Sequence, residues 1–307
     1  MKRLRDRYEA LLLDLDGTLY RGPEVIEGAP EALADSGAPQ RLVYVTNNAS
    51  RGPDAVAQHL AELGFLATTD DVVTSAQAAA RLLAERLDAG ASVLVVGTDD
   101  LAAEVNAVGL RSVRRFNGAA PDAVVQGHSP ITAWPDLAEA AYALNADALW
   151  VAANTDKTLP NERGLAPGNG AMVAALCAAS GRTPLVAGKP YAPLMEDALV
   201  RAGTRSALVV GDRLDTDIEG ANRVGLESLL VLTGVSTLDE LRDAPADLIP
   251  TYVSESLDAL NFPPVDSEPH TATTQSAVTD LAAELTERLR RNPGRAVTVR
   301  ASGPEIR

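Results

Sequence analysis

Cysteine is nearly absent from this chain of 307 residues, which contains only Cys177. A single cysteine excludes a disulfide within the chain and is typical of the reducing cytosol, where we expect this protein to reside. Three scattered histidines also argue against a zinc site with nitrogen and sulfur ligands. We therefore expect any metal to be a hard cation held by carboxylates. Cys177 itself lies in an apolar run and is expected to be a small buried residue.

Long apolar runs and positive charge are scarce as well. No run approaches the ~20 residues that cross a bilayer, so we expect neither a membrane span nor a secretion signal. The 27 Lys and Arg residues face 42 Asp and Glu residues, for a formal net charge of −15. Because nucleic-acid binding relies on clustered Lys and Arg, we expect no such partner. The composition is otherwise that of folded proteins, and the length predicts about two domains.

Short apolar runs alternate with helix-length segments along the chain. The first run, Glu9–Asp16, is nearly continuous, as is typical of a parallel strand covered by helices on both faces. Further runs of this kind lie at Arg41–Thr46, Ser92–Gly97, Ala123–Gly127, Ala148–Ala152, Ala207–Asp212 and Ser228–Thr233. Helix signals separate them, for example at 53–63 and at Ala192–Ala202. The alternation predicts an α/β fold.

Two carboxylates follow the first predicted strand, in the run Asp14-Leu15-Asp16-Gly17-Thr18. Residues at i and i+2 on a strand share a face, and placing two carboxylates at the end of an apolar strand is costly unless a cation neutralises them. A hard divalent cation is the natural partner. Taken alone, these five residues could also be a strand that ends in an ordinary Asp-Gly turn.

Polar residues also follow three later runs. The segment 46–50, Thr-Asn-Asn-Ala-Ser, leads into the helix near Pro53 and can hold an anion or simply cap that helix. Lys189, one of three lysines, follows another apolar run and could otherwise be a solvated surface group. The segment 211–217 brings Asp212 and Asp217 to a strand end. Because ligands bind at the carboxyl ends of parallel strands, we expect these segments to converge on one pocket.

These segments, DLDGT, TNNAS, GKP and GDRLDTDI in that order, resemble the four motifs of the haloacid dehalogenase superfamily of aspartate-nucleophile phosphatases. From about residue 10 to 253 the chain resembles the NagD-like subgroup, which includes phosphoglycolate and glycerol-3-phosphate phosphatases. The resemblance implies a doubly wound, Rossmann-like core and a Mg²⁺-dependent phosphomonoesterase that acts on a small metabolite through an aspartyl-phosphate. We expect the substrate to be glycerol 3-phosphate, with 2-phosphoglycolate, nucleotide monophosphates and pyridoxal phosphate as the alternatives.

The resemblance also implies a role for each motif residue. The nucleophile is expected to be Asp14, and Asp16 is expected to protonate the leaving alcohol and then to activate water. A halide needs no proton on leaving, so Asp16 separates phosphoryl transfer from dehalogenation. The expected Mg²⁺ ligands are the Asp14 carboxylate, the Asp16 carbonyl and Asp212, with support from Asp217. The groups expected to hold the phosphoryl oxygens belong to Thr46, Asn47, Asn48 and Lys189.

A long gap between two motifs predicts an inserted domain. Thr46 and Lys189 are 143 positions apart, whereas 32 positions separate Asp14 from Thr46. We place an inserted α/β cap at 79–183, within a core formed by 1–78 and 184–262. The resemblance implies that this cap closes over the site and selects the substrate, and it is a candidate surface for homo-oligomers.

Two loops of this cap are candidates for contacting the leaving group. The loop 128–134 contains His128 and Trp134, which could equally be a surface histidine and a packed indole. The loop 154–168 contains Arg163, which could bind an acidic substrate or pair with a neighbouring carboxylate.

Residues 263–307 differ from the rest of the chain. A Pro-, Ser- and Thr-rich linker precedes an amphipathic helix, marked by Leu281, Leu285 and Leu289, and a strand-like run at 296–300. A helix and a strand cannot enclose a core, so this tail either packs on the main body or begins a further unit.

Two other classes of function remain open. A phosphomutase or dehalogenase would reuse Asp14 without releasing phosphate. A non-catalytic phosphate sensor is expected to have a damaged motif, and none of the four motifs is damaged.

Overall fold

The computed structural model describes residues 2–34, 40–116, 118–161, 163–242, 244–265 and 281–299. The strands within these ranges are, in chain order, β1 (Ala10–Leu13), β2 (Tyr20–Arg21), β3 (Glu24–Val25), β4 (Arg41–Thr46), β5 (Val72–Thr74), β6 (Ser92–Val96), β7 (Arg111–Val113), β8 (Ala123–Gln126), β9 (Leu149–Ala152), β10 (Thr158–Asn161), β11 (Gly164–Pro167), β12 (Leu185–Val186), β13 (Ala207–Gly211), β14 (Glu227–Val231), β15 (Tyr252–Ser254) and β16 (Val297–Thr298).

The α-helices within the same ranges are α1 (Ala29–Leu33), α2 (Pro53–Glu62), α3 (Ser75–Ala84), α4 (Asp99–Ala107), α5 (Trp134–Asn145), α6 (Asn169–Ser180), α7 (Ala192–Ala202), α8 (Glu219–Arg223), α9 (Leu238–Arg242) and α10 (Leu281–Arg291). A π-helical turn, Leu214–Ile218, precedes α8. Helices alternate with mainly parallel strands, which confirms the predicted α/β class. Among these described helices, none is both long and apolar enough to cross a membrane.

Every strand predicted from an apolar run is present, although most are shorter than predicted. β1 ends at Leu13 rather than at Asp16, because the chain then turns and Leu19 N–H donates to the carbonyl of Leu15 at 2.8 Å. The hairpins β2–β3 and β10–β11 and the short strands β5, β7 and β15 had no long apolar run to mark them.

The chain divides into two compact units. Unit 1 comprises the described residues of Met1–Val45, His59–Ala67 and Ala198–Arg307, and unit 2 comprises those of Thr46–Gln58 and Thr68–Asp197. The division of the chain into a core and a cap at residues 79 and 183 stays a prediction.

Unit 1 is built on a sheet in which β1 lies between β13 and β4. Its strands lie in the order β16-β15-β14-β13-β1-β4, and adjacent strands are parallel except for β15 and β16. Leu13 at the end of β1 lies opposite Val210 on one side and Tyr44 on the other. The chain order therefore diverges on either side of β1, which is the topological switch point where open α/β sheets bind ligands.

The C-terminal helix α10 and strand β16 pack within unit 1. β16 pairs with β15, and α10 buries Leu285 and Leu289 in a cluster with Leu241 and Val253. This accounts for the amphipathic pattern of the predicted helix, because its apolar face covers the sheet. The predicted linker, from residue 266 onward, and the end of the predicted strand at residue 300 lie outside the described residues.

Unit 2 is built on a second parallel sheet, with strand order β12-β9-β8-β6-β7. Helices α5 and α6 cover one face through a cluster that includes Val124, Leu144, Trp150 and Leu176. Cys177 packs at the edge of this cluster and is half-buried rather than fully buried. The antiparallel hairpin β10–β11 extends from the segment that follows β9.

The apolar face of α10 provides a test of its contribution to unit 1. Leu285 is 1% exposed, so we expect Leu285→Ala to destabilise unit 1 by about 2–5 kcal/mol through the lost contacts and the cavity left behind. Hydrogen exchange of the peptides that cover β14, β15 and α10 measures this loss directly. Leu66→Ala is the matched control, because Leu66 is 80% exposed and its truncation is expected to cost less than about 0.5 kcal/mol. Equal protection of these peptides from exchange in wild type and Leu285→Ala would show that packing of α10 does not stabilise unit 1.

Candidate active site

Three carboxylates of unit 1 converge where β1 and β13 end. Asp14 follows β1, Asp212 follows β13, and Asp217 lies in the π-helical turn. One oxygen of each lies within 4.8 Å of the others, and Asp212 and Asp217 are fully buried. Like charges this close in a buried setting repel one another unless a cation offsets them. Carboxylate oxygens are the ligands that hard divalent cations prefer, so these residues fit Mg²⁺.

Backbone N–H groups fix the orientation of two of these carboxylates. Val235 N–H donates to Asp212 Oδ2 at 2.7 Å, and Arg213 N–H donates to Asp217 Oδ2 at 3.2 Å. Ser236 N–H also donates to the backbone carbonyl of Asp212 at 3.1 Å. The loop after β14 therefore holds the end of β13 in place, as supporting contacts do for metal ligands.

Three glycines make room for the carboxylates. A Cβ added at Gly17 or at Gly234 would lie within 3.0 Å of Asp212 Oδ2, closer than real Cβ contacts come. A Cβ added at Gly211 would be equally close to Asp217. Gly17 also has φ +91°, a conformation that disfavours other residues. Gly17 and Gly211 belong to the motifs, whereas Gly234 carried no sequence signal.

Asp16 lies two residues beyond Asp14, at the start of the turn that leads into the hairpin β2–β3. Its side chain reaches solvent, but partial desolvation raises the pKa of its carboxyl. A hydrogen bond from Gly22 and the charge of Arg21 oppose this rise in pKa. A carboxyl with a raised pKa holds its proton more readily, as a general acid must.

The hairpin β2–β3 is tied to the loop that follows β14. The Arg21 guanidinium donates to the carbonyl of Thr233, with its Nε at 2.8 Å, and Thr233 Oγ1 donates to the carbonyl of Gly17 at 2.7 Å. Arg21 and Thr233 were not predicted as site residues, because their hydrogen bond joins positions 212 residues apart in the sequence.

The Thr-Asn-Asn segment opens unit 2. Thr46 is the last residue of β4 and is buried, and its Oγ1 accepts from Asn48 N–H at 3.1 Å. Asn48 is exposed, and its Oδ1 accepts from Ser50 N–H at 2.7 Å. These short side-chain-to-backbone bonds shape the turn that leads into α2.

Unit 2 brings Asn47 and Lys189 together. Lys189 is 3% exposed, and its backbone N–H donates to Asn47 Oδ1 at 2.8 Å. Asn47 Nδ2 donates back to the Lys189 carbonyl at 3.1 Å and to the Asp156 carboxylate at 3.2 Å. Asp156 was not predicted as a site residue, and its only sequence signal is its place in the long polar loop 154–168.

The predicted cap-loop residues have different surroundings. His128 is half-buried, its Nδ1 lies 3.3 Å from Ser50 Oγ, and desolvation lowers the pKa of its imidazole. Arg163 is exposed at the turn of the hairpin β10–β11. Trp134, the first residue of α5, is 76% exposed and is not the packed indole of the alternative expectation.

Two family models match the chain. Residues 11–111 match one described as haloacid dehalogenase-like hydrolase, and residues 186–260 match one described as HAD-hydrolase-like. These two ranges contain Asp14, Thr46, Lys189 and Asp212, so each of the four motifs lies within a matched region.

Curated relatives and solved structures also resemble the chain. The D-glycerol 3-phosphate phosphatase of Mycobacterium tuberculosis is 58% identical over 261 residues, which cover 85% of this chain and 73% of that protein. A 5′-nucleotidase of Bacillus subtilis is 36% identical over 255 residues, which cover 81% of this chain and 96% of that protein. A crystal structure of the Mycobacterium tuberculosis glycerol phosphate phosphatase in complex with magnesium is 51% identical, has a TM-score of 0.83, and covers 94% of this chain and 93% of that one.

The carboxylate cluster predicts that Asp212 contributes to cation binding and that Asp215 does not. Asp212→Asn should weaken Mg²⁺ binding at least about tenfold, since even supporting contacts of a metal site are worth that much. Calorimetric titration of the folded protein with MgCl₂ measures the affinity. Asp215→Asn is the matched control, because Asp215 is exposed, pairs with Arg213 and lies outside the cluster. Equal Mg²⁺ affinity in wild type and Asp212→Asn would overturn the assignment of the cation site to this cluster.

Proposed function

The chain belongs to the haloacid dehalogenase-like hydrolase family, in which it is a phosphoric monoester hydrolase, and we propose that its substrate is glycerol 3-phosphate and its cofactor Mg²⁺. The cluster of Asp14, Asp212 and Asp217, with Asp16 beside it in sequence, carries the chemical part of the proposal. The 58% identity to a D-glycerol 3-phosphate phosphatase supports the substrate.

Asp14 is the nucleophile in the first step. An oxygen of its carboxylate attacks phosphorus, and the bond between phosphorus and the oxygen of the leaving alcohol breaks. Asp16 gives its proton to that oxygen, so glycerol leaves as the neutral alcohol. The raised pKa of the Asp16 carboxyl supports this role, because the carboxyl must be protonated when the bond breaks. The phosphoryl group is then carried by Asp14 as an acyl phosphate.

Water completes the reaction in the second step. Asp16, now ionised, takes a proton from a water molecule, whose oxygen attacks phosphorus. The bond between phosphorus and the Asp14 oxygen breaks, inorganic phosphate is released, and both aspartates return to their starting states. One carboxyl thus serves first as acid and then as base.

Charge must be offset for a carboxylate to approach a phosphate dianion. When bound, Mg²⁺ supplies positive charge at that point. The Asp14 carboxylate, the Asp16 carbonyl and Asp212 would hold it, with Asp217 in support. The groups proposed to hold the phosphoryl oxygens are the Thr46 hydroxyl, the backbone N–H of Asn47 and the Lys189 ammonium. The backbone N–H of Asn48 is left out of this set because it donates to Thr46 Oγ1. The side chain of Asn47 is excluded from this set because it already bonds to Lys189 and Asp156.

Residues of the cap loops are proposed to contact the alcohol part of the substrate. The desolvated, neutral imidazole of His128 suits a hydroxyl group, whereas Arg163 suits an acidic group. Residues 79–183 are proposed to form the closing cap and, through it, a homo-oligomer. The cytosol is the proposed location, as the single cysteine favours.

Phosphate release from a panel of esters tests the proposed activity. Glycerol 3-phosphate should be hydrolysed with the highest kcat/KM among glycerol 3-phosphate, 2-phosphoglycolate, a nucleoside monophosphate and pyridoxal phosphate. Release should stop when EDTA removes Mg²⁺. Asp14→Asn should lower kcat by about 10⁴-fold or more, because it removes the nucleophile and leaves the fold intact. The unfolding temperature of Asp14→Asn, matched to that of wild type, is the control.

Each departure from this result has a defined meaning. Faster release from another ester would replace the proposed substrate. Transfer of the phosphoryl group to a new position without release would indicate a mutase. Undiminished activity in Asp14→Asn would overturn the assignment of the nucleophile.

A further inference from the structure

Every polar atom of the Asn47 side chain is engaged within unit 2. Its Oδ1 accepts from Lys189 N–H, and its Nδ2 donates both to the Lys189 carbonyl and to Asp156. A carboxamide that bonds the N–H and the C=O of one residue forms a closed pair with that backbone, as two paired strands do. The side chain of Asn47 therefore holds the backbone of Lys189 through two hydrogen bonds.

The backbone of Asn47 is held as firmly as its side chain. Its carbonyl accepts from Ser75 Oγ at 2.6 Å and from Asn154 Nδ2 at 2.6 Å. Ser75 and Asn154 are both buried, so these bonds are shielded from water. Asn47 is thus a fixed point from which Lys189 is positioned.

Asp156 is fixed in turn by the segment that follows β11. Gly170 N–H donates to its backbone carbonyl at 2.9 Å, and Asp156 N–H donates to Asn154 Oδ1 at 3.2 Å. A Cβ added at Gly168 would collide with that carbonyl, and one added at Gly188 would lie 2.6 Å from Asn47 Oδ1. The chain therefore passes too close to Asp156 at Gly168, and too close to Asn47 at Gly188, for a residue with a side chain at either position.

An ionised Asp156 carboxylate can only accept hydrogen bonds, so it selects which end of the Asn47 carboxamide faces it. Nδ2 must point to Asp156, and Oδ1 is then directed at Lys189 N–H. Lys189 is 3% exposed, so its long stem has little room to compensate for a shifted backbone, and the position of its ammonium depends on where that backbone is held. A displacement of about 1 Å at a reacting centre can cost about 100-fold in rate.

We propose that Asn47 and Asp156 are positioning residues for Lys189: Asp156 sets the orientation of the Asn47 carboxamide, and Asn47 holds the Lys189 backbone for phosphoryl transfer. The proposal rests on the function of Lys189 given above, in which its ammonium holds the phosphoryl group. It gives the polar loop 154–168 a second task besides contact with the leaving group.

Exchange of the amide and the carboxylate tests this pair in the full chain. Asn47→Asp keeps an acceptor for Lys189 N–H, loses both donated bonds and faces Asp156 with like charge, so kcat on glycerol 3-phosphate should fall about 100-fold. In Asn47→Asp/Asp156→Asn the donor and the acceptor are exchanged, and about tenfold of that loss should return. Asn106→Asp is the matched control, because Asn106 is exposed and its Oδ1 accepts from Ser112 N–H, a bond that an aspartate can keep.

A double-mutant cycle with Lys189→Met separates positioning from a general loss of structure. If Asn47 acts through Lys189, Asn47→Asp should cost less than about twofold more in the Lys189→Met background. The same 100-fold loss in both backgrounds would overturn the proposal, as would a failure of the exchange to restore activity. A wild-type protein that releases no phosphate would instead overturn the proposed function, and the positioning role with it.

Two further variants apply if Asn47→Asp does not fold, as judged by its unfolding temperature. Asp156→Ala removes the acceptor and should lower kcat about tenfold, whereas Asp156→Asn keeps an acceptor oxygen and should stay within about threefold of wild type. Equal activity of Asp156→Ala and Asp156→Asn would overturn the role of Asp156.

Discussion

Repulsion among Asp14, Asp212 and Asp217 is the constraint on which the structure of unit 1 depends. One oxygen of each lies within 4.8 Å of the others at the end of an apolar sheet, and the burial of Asp212 and Asp217 limits screening by water. The fold maintains this arrangement with backbone N–H donors and with glycines that let the carboxylates approach the chain. The same crowding makes the cluster a binding site for a hard cation, so the cost of assembling it is offset when Mg²⁺ binds.

The candidate site residues of unit 2 are held by a hydrogen-bond network around Asn47, whereas those of unit 1 form a cluster of like charges. Asn47 is bonded through its side chain and through its backbone, and its partners come from α3, from the loop after β9 and from the loop after β12. In this network the neutral Asn47 carboxamide, rather than a carboxylate, bonds the backbone of Lys189.

Residues next to a strand end were predictable, and residues that act across the sequence were not. An apolar run that stops at Asp14 or at Asp212 shows locally where a polar group meets the edge of a sheet. Asp156 meets Asn47 across 109 positions, and Arg21 meets Thr233 across 212. No local pattern marks such pairs, and Gly234 in particular is one of 23 glycines with nothing around it in the sequence to distinguish it. The two hairpins were missed because their short strands lie in no long apolar run.

The sequence by itself determined the α/β class, the motif residues and the preference for a hard cation, because each follows from local composition and from the alternation of apolar runs. Tertiary structure alone decided which backbone N–H groups orient Asp212 and Asp217, and that Arg21 bonds to Thr233. It also decided that the Asn47 side chain faces Lys189 and Asp156. The physical reason is that the direction of a side chain is set by the groups packed around it, and these come from distant parts of the chain.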